Sequence, residues 1–329
     1  MDARPTTEQR ELEAAAVRLV DNLGPATVGD LDDFDRRARL DAALTQAGWR
    51  ELRSGTPTEP MASGVEAALV TRALARRVCD VAYIGPVLAH DLLRRAGVEM
   101  SDGVARTVAV TSDLRRLGSG SGVAVDAAGS ASALLLGEGT DTLVEAKLAA
   151  EMKRGVDLTR VVCPVAAPTA ADHGRLDPDD LLAWEALAVT LTAADLVGVM
   201  EGTLALATEY AKERRQYGVP IGSFQAVQHL LAEAKTLTEG ALSALLYAAW
   251  AVDALPPFEA RAAAAVAKAY AARNARTVCE TSIQVHGGIG NTWECMAHVF
   301  LRRALLSSEL FGSDGPQLAL LAQQRWGAA

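Results

Sequence analysis

Basic residues are in short supply. Lys and Arg number 32 against 41 Asp and Glu, a net charge of −9. No long basic run offsets that balance, so nucleic acid is not an expected partner. Cysteine is limited to Cys79, Cys163, Cys279 and Cys295. No pair has CxxC spacing and none sits in a Cys/His cluster, which excludes a zinc-ribbon type of metal site. The spacing is not that of a disulfide framework either, so the four read as buried reduced thiols. Long apolar runs are also missing. The longest, Ala186 to Met200, is broken by Thr190, Thr192 and Asp195 and falls short of the ~18–20 apolar residues of a bilayer span. The first residues, MDARPTTEQRELEAAA, are polar and acidic with no apolar signal core, so a cytoplasmic protein is expected. What is abundant is core-forming material: 50% of residues are hydrophobic and 22% charged, which excludes a disordered chain. A length of 329 residues fits one large or two to three modest domains.

Three textures follow one another, giving expected domains at 1–100, 101–170 and 171–329. The first is helical. Glu8 to Val20 places Leu12, Ala15, Ala16 and Leu19 on one face. Residues 40–48 read as a short helix stopped by Gly48, Arg50 to Ser63 as a loop, and Gly64–Val78 and Pro86–Arg95 as two more helices, with Gly97 as a stop. The second is β-rich: Val104 to Val110 alternates, and short apolar runs follow at Gly122–Val125, Ala133–Leu136, Thr142–Val144 and Val161–Val165. They predict a small antiparallel sheet or barrel. The third is helical again. The acidic Asp177–Asp180 opens a helix from Leu181 to about Arg215; others start near Ser223, Phe258 and Thr292, the last reaching about Leu310. Four long helices with short connections read as a bundle.

Two segments depart from generic bundle sequence. In the first, Arg214, Arg215, Gln216 and Tyr217 end a helix, Gly218, Pro220 and Gly222 turn the chain, and Ser223 caps the next helix, which opens with Phe224 and Gln225. Arginines beside a helix N-terminus can hold an anion, and the aromatic and amide groups a planar ring. The alternative is a helix hairpin with a solvated basic end. The second segment is Gln284-Val285-His286-Gly287-Gly288-Ile289-Gly290. Its glycines allow close backbone approach, and consecutive free amides can form an anion-binding nest. The alternative is a helix C-cap and loop. His229 and His298 fall within expected helices and read as packed side chains. Tyr217 and Trp293 read equally as interface core or ligand contacts.

Taken together, the two segments resemble the C-terminal domain of the acyl-CoA dehydrogenase family. There an Arg-x-x-aromatic-Gly turn with Phe-Gln at the next helix, and a Gln-Val-x-Gly-Gly-x-Gly stretch, meet the ADP part of FAD, commonly that of a neighbouring subunit. The resemblance implies a mostly α fold with an N-terminal helical domain, a reduced middle β domain and a C-terminal four-helix bundle. It implies FAD as cofactor, with Arg214, Gln216, Tyr217, Phe224, Gln225, Gln284, Val285, His286, Gly287 and Gly288 around it. It is strong over 180–312, loose over 1–98, where only the helical texture agrees, and weak over 103–166, where the family's middle β domain is cut down.

In that family a carboxylate removes the substrate α proton while the flavin takes the β hydride. Counting from Gln284 places the usual carboxylate at Phe311; counting back from Arg214 places the alternative near Ala188. Neither accepts a proton. Glu309, Glu185 and Asp195 are the nearest carboxylates, but offsets of three or seven residues along a helix move a group ~5–10 Å. No tryptophan stands between Trp49 and Trp184, where the family's flavin-ring segment would fall. The chain thus resembles the short degenerate subunit of heteromeric (α2β2) actinobacterial sterol side-chain enzymes, completing the FAD site of a catalytic partner without a catalytic residue of its own. A steroid thioester as substrate and an electron-transfer flavoprotein as acceptor come with that resemblance. Three readings stay open beside it: a self-sufficient homo-oligomeric dehydrogenase with a moved base, a related oxidase or flavin monooxygenase, and a structural helical protein without cofactor.

Overall fold

The computed structural model describes residues 5–98, 103–149 and 153–327. Four helices come first: α1 (Thr7–Leu23), α2 (Phe34–Gln46), α3 (Gly64–Arg76) and α4 (Ile84–Arg95). Local chemistry sets their starts. Thr6 and Gln9 form a reciprocal capping box on α1, and Ser63 and Glu66 do the same on α3. Gly48 and Gly97 take left-handed conformations with φ of 66° and 71°, and the chain turns there. The second helix starts earlier than its sequence pattern shows because Asp33 accepts from the Arg36 amide, capping residues ahead of the apolar stripe.

The β region holds β1 (Arg106–Val110), β2 (Val123–Val125), β3 (Ser132–Leu136), β4 (Thr142–Leu148), β5 (Lys153–Arg154) and β6 (Val161–Arg175). They pair in the order β2-β1-β3-β4-β6-β5, and β2 also pairs with β6, which closes the sheet into a small barrel. All pairs are antiparallel except β1 with β3. The last strand is three times the expected Val161–Val165 run. Its polar second half is held by pairing with β4 rather than by apolar alternation.

The chain then returns to helix: α5 (Pro178–Glu213), the two-stranded ribbon of β7 (Arg215–Gln216) and β8 (Val219–Pro220), α6 (Gln225–Ala254), α7 (Pro257–His286), α8 (Ala297–Glu309) and α9 (Asp314–Trp326). The expected helix from Thr292 to Leu310 begins at Ala297, and α9 follows it across a left-handed Phe311–Gly312 turn. Asp177 caps α5 with Pro178 in its first turn. This helix is long and apolar enough to cross a bilayer, yet 89% of its apolar stretch is buried among its neighbours. It is the axis of a core that includes Val70, Leu74 and Ala75 of α3, Val108, Val125 and Leu134 on one face of the sheet, and α6 to α8, while Ala109, Ala124, Ala133 and Ala146 on the other face form a separate small cluster. The close approach of α3 needs glycine: a methyl on Gly198 or Gly202 would run into the carbonyls of Arg72 and Arg76. Two buried ionic clusters tie the layers. Arg53 donates to both Asp253 oxygens at 2.9 and 3.0 Å and to Asp91 at 3.1 Å. Arg303 donates to Asp195 at 2.7 Å, with Ser307 Oγ donating to the other oxygen at 2.7 Å and Arg160 paired at 2.7 Å. All four cysteines are buried and free.

Candidate functional site

The end of α5 and the end of α7 meet. Tyr210, one turn before Arg214, stacks on His286 with ring centroids 4.5 Å apart. Ala207, Ala211 and Val285 form a small core beneath, covered by Ile221, Val227 and Leu231. The two segments singled out in the sequence are therefore one surface.

Arg214 is the C-cap of α5 in an extended conformation, and its carbonyl accepts from the Ile221 amide at 2.8 Å. Between them the ribbon turns on Tyr217 (φ 54°) and Gly218 (φ 83°), two left-handed residues in a row, the pattern of a type I′ turn. Glycine adopts this freely; tyrosine does so at a cost. The result is a Tyr217 ring 95% exposed, edge-on to Phe224 at 6.3 Å. Ser223 does not cap α6. Its hydroxyl donates to the Pro220 carbonyl at 2.7 Å, and Phe224 takes the N-cap position without a side-chain bond. The first turn of α6 carries no acidic residue, so the positive end of a 30-residue helix stays open beside Arg214. Arg214, Gln216, Gln225 and Gln284 are exposed, and no side-chain bond or ion pair engages them among the described residues.

The glycine segment corrects one expectation and divides the rest. Gly287 (φ 66°) is the C-cap of α7, and its amide donates to the carbonyls of Gln284 and Ile283. The row of consecutive free amides is therefore interrupted at its first member. A methyl on Gly287 or Gly288 would meet nothing within 4 Å, so both positions face open space, whereas Gly290 is packed on Ile283 and His286. Val285 and His286 turn inward. The imidazole Nδ1 lies 2.7 Å from the Ser282 carbonyl and so carries the proton, leaving Nε2 to the Cys295 thiol. Burial pushes His286 down, but the Cys295 and Ser282 contacts outweigh it and raise it above the ordinary histidine value. Burial pushes Cys295 up, and His286 with the Ala297 amide brings it below the ordinary thiol value. The surface thus presents Arg214, Gln216, Tyr217, Phe224 and Gln225 from one segment and Gln284, Gly287 and Gly288 from the other. His229, expected to be packed, is exposed on α6. Trp293 is 64% exposed.

The sequence from 181 to 325 matches the model of the acyl-CoA dehydrogenase C-terminal domain. The acyl-CoA dehydrogenase FadE34 of Mycobacterium tuberculosis is 44% identical over 131 residues, 40% of this chain and 18% of that protein. The acyl-CoA dehydrogenase IpdE2 of Mycolicibacterium smegmatis is 32% identical over 175 residues, 52% of this chain and 51% of that one. The chain therefore spans about half or less of these relatives' length. The whole chain superposes on a chain of the ChsE4-ChsE5 complex from Mycobacterium tuberculosis with a TM-score of 0.82 and 23% identity, covering all of both. The acyl-CoA dehydrogenase fold thus extends over the N-terminal helices and the barrel.

On that fold the positions counted for a catalytic carboxylate are closed. Phe311 is 3% exposed, edge-on to Trp184 at 5.7 Å. Its amide donates to the Leu114 carbonyl at 2.7 Å, and its carbonyl accepts from Gln317 at 2.6 Å. Ala188 is fully buried. Burial would raise the Asp195 carboxyl, but Arg160 and Arg303 more than offset it and hold it below the ordinary range. An ionised carboxylate committed to two guanidinium groups and a hydroxyl is a structural partner. Glu185 is raised by burial against the opposing pull of Arg261, 3.7 Å away, and of Arg116. Glu309 lies exposed on the last turn of α8.

Proposed function

We propose that this chain is the non-catalytic subunit of a heteromeric, FAD-dependent acyl-CoA dehydrogenase. The observation that carries the reading is an asymmetry. The surface expected to hold the ADP end of the cofactor is open, and the side chains of Arg214, Gln216, Gln225 and Gln284 make no bond within the chain among the described residues. The positions expected to hold a base are filled by a packed phenylalanine and an alanine. Arg214 and the open N-terminus of α6 suit the pyrophosphate, Gln225 and Gln284 offer amides to the adenine and ribose, and Tyr217 and Phe224 offer ring faces. FAD supplies hydride acceptance when bound, and a homologous partner supplies its ring pocket and the base. In this reading the chain's own work is to hold the cofactor in register. The heteromeric assembly and a bulky, steroid-type acyl thioester are supported by neighbours of the same fold, the ChsE4-ChsE5 complex and the Tcur3481-Tcur3483 steroid acyl-CoA dehydrogenase variant. An electron-transferring flavoprotein is the proposed acceptor.

The test is bound FAD per chain, for this chain alone and co-expressed with an acyl-CoA dehydrogenase-like partner. The expected result is none alone and about one FAD per unlike pair. Arg214→Ala should lower retention in the pair roughly tenfold or more, the scale of one charge-assisted phosphate contact. Stoichiometric FAD and turnover on the chain alone would instead favour a self-sufficient dehydrogenase.

A further inference from the structure

Across the Gly287–Asn291 turn, the last residue of α7 meets a cysteine that stands just ahead of α8. The His286 ring stacks on Tyr210 with centroids 4.5 Å apart, and its Nδ1 donates to the Ser282 carbonyl at 2.7 Å. Both contacts fix the ring, and the proton on Nδ1 leaves Nε2 as the nitrogen that bonds the Cys295 thiol. The Ala297 amide, first of α8, donates to the same sulfur. Nucleophile, base and orienting carbonyl thus follow one another, and the sulfur lies at the positive end of a 13-residue helix whose first turn carries no acidic residue. The other three thiols show what this setting changes. Cys79, Cys163 and Cys279 are at most 1% exposed, and burial pushes Cys79 up to about 12 and raises the other two. Among the described residues none of the three is paired with an imidazole. Cys295 is 8% exposed and follows the exposed Asn291–Glu294 stretch. Burial acts on it too, yet it lies below the ordinary thiol value. That is the setting of a reactive cysteine rather than a packed one.

We propose that Cys295 is a redox-modification site, a thiol activated by His286 and oxidised to its sulfenic acid by hydrogen peroxide. The thiol proton passes to His286 Nε2, and the sulfur attacks one peroxide oxygen. The S–O bond forms as the O–O bond breaks, and the departing hydroxide takes the proton back from His286 and leaves as water. The sulfur gives up two electrons and the peroxide takes them. The narrow exposure of the residue favours an oxidant of this size over a bulky disulfide. The site does not depend on the function proposed for the Arg214 surface.

Mass spectrometry of each cysteine tests the proposal, on the folded full chain after brief exposure to iodoacetamide, or to hydrogen peroxide with dimedone, which traps sulfenic acids. Cys295 should be alkylated before the other three and should carry the dimedone adduct. The midpoint of its alkylation rate against pH should fall below the roughly 8.5 of a free thiol. His286→Gln should raise that midpoint and slow alkylation at pH 7 about tenfold, the thiolate fraction lost for each unit of rise. Circular dichroism checks that the variant folds, and the wild-type pH profile stands without it. Five results would overturn the assignment: another cysteine labelled first, Cys295 labelled only in urea, a midpoint at or above that of a free thiol, folded His286→Gln reacting at the wild-type rate at every pH, or no dimedone adduct on Cys295 after peroxide.

Discussion

Single residues decide two features of this molecule. Gly198 and Gly202 stand on α5 where the α3 backbone crosses. A methyl on Gly198 would come 2.7 Å from Ala75 Cβ, and one on Gly202 would come 2.6 Å from Phe300 Cε1, in addition to the carbonyl clashes. Neither backbone can yield without parting the helices. Gly198→Ala should therefore destabilise by about 1–3 kcal/mol or more, the range of core overpacking, despite alanine's better helix propensity. Chemical denaturation would show it; an unchanged midpoint would mean that α3 shifts freely. The second feature is Phe311. Its ring seals the interface of Trp184 with the loop at Leu114. Phe311→Glu restores a carboxylate at the counted position, but in a dry setting where the neighbouring cation, Lys268, is committed to the Leu310 and Ser307 carbonyls. It should cost roughly 3 kcal/mol through lost packing and a buried acid, and should yield no acyl-CoA oxidation by the chain alone. Turnover by that variant alone would contradict the proposal that a partner must supply the flavin-ring pocket.

At the scale of elements, the helices hold to one another through buried charge as much as through apolar surface. Asp91 on α4 is fully buried and meets Arg53, Arg94 and Arg95. Burial alone would raise its carboxyl, but the three guanidinium groups bring it down to about 2 against 3.8 for a free side chain. A carboxylate depressed on folding stabilises the native state fully above its unfolded value and loses that contribution as pH falls through its folded value. Stability should thus decline between about pH 4 and pH 2 by about 2 kcal/mol on account of Asp91. Asp91→Asn should flatten that part of the acid-unfolding profile while lowering stability at neutral pH, because Arg53 would be left buried with one carboxylate fewer. Urea midpoints measured across that range check both halves. The elements themselves were largely legible. Glycine stops, an acidic helix start and apolar stripes marked α1, α3, α4 and the three long helices, because each signal is local. What could not be read was set by distant partners. The second half of β6 is a strand because β4 lies beside it, and α9 stands apart from α8 because Gln317 ties the Phe311 turn. The site shows the same division. The residues that converge on it were legible as motifs, but the inward turn of Val285 and His286 depends on Ala207, Ala211 and Tyr210, which pattern alone does not place there.

For the whole molecule, the proposed function raises the question of what a chain gains by offering contacts to only one end of a cofactor. A dinucleotide held at one end gains little: a phosphate contact and a pair of amides must offset the lost freedom of a long, flexible ligand. Held at both ends by two unlike chains, the same contacts act on a ligand already localised by the partner, so that its ordering cost is shared between the two sites. The consequence is a difference in linkage. Any ligand that binds the native state raises stability by RT ln(1 + [L]/Kd). Added FAD should therefore leave the thermal midpoint of this chain alone nearly unchanged at concentrations that raise the midpoint of the unlike pair by several degrees. Arg214→Ala in this chain should erase most of that rise, with little effect on the midpoint of the free chain, since the Arg214 side chain is exposed and makes no hydrogen bond or ion pair among the described residues. A rise of equal size in the free chain would show that this polypeptide holds the whole cofactor by itself, and a rise in the pair that Arg214→Ala leaves intact would place the cofactor away from the ribbon between α5 and α6.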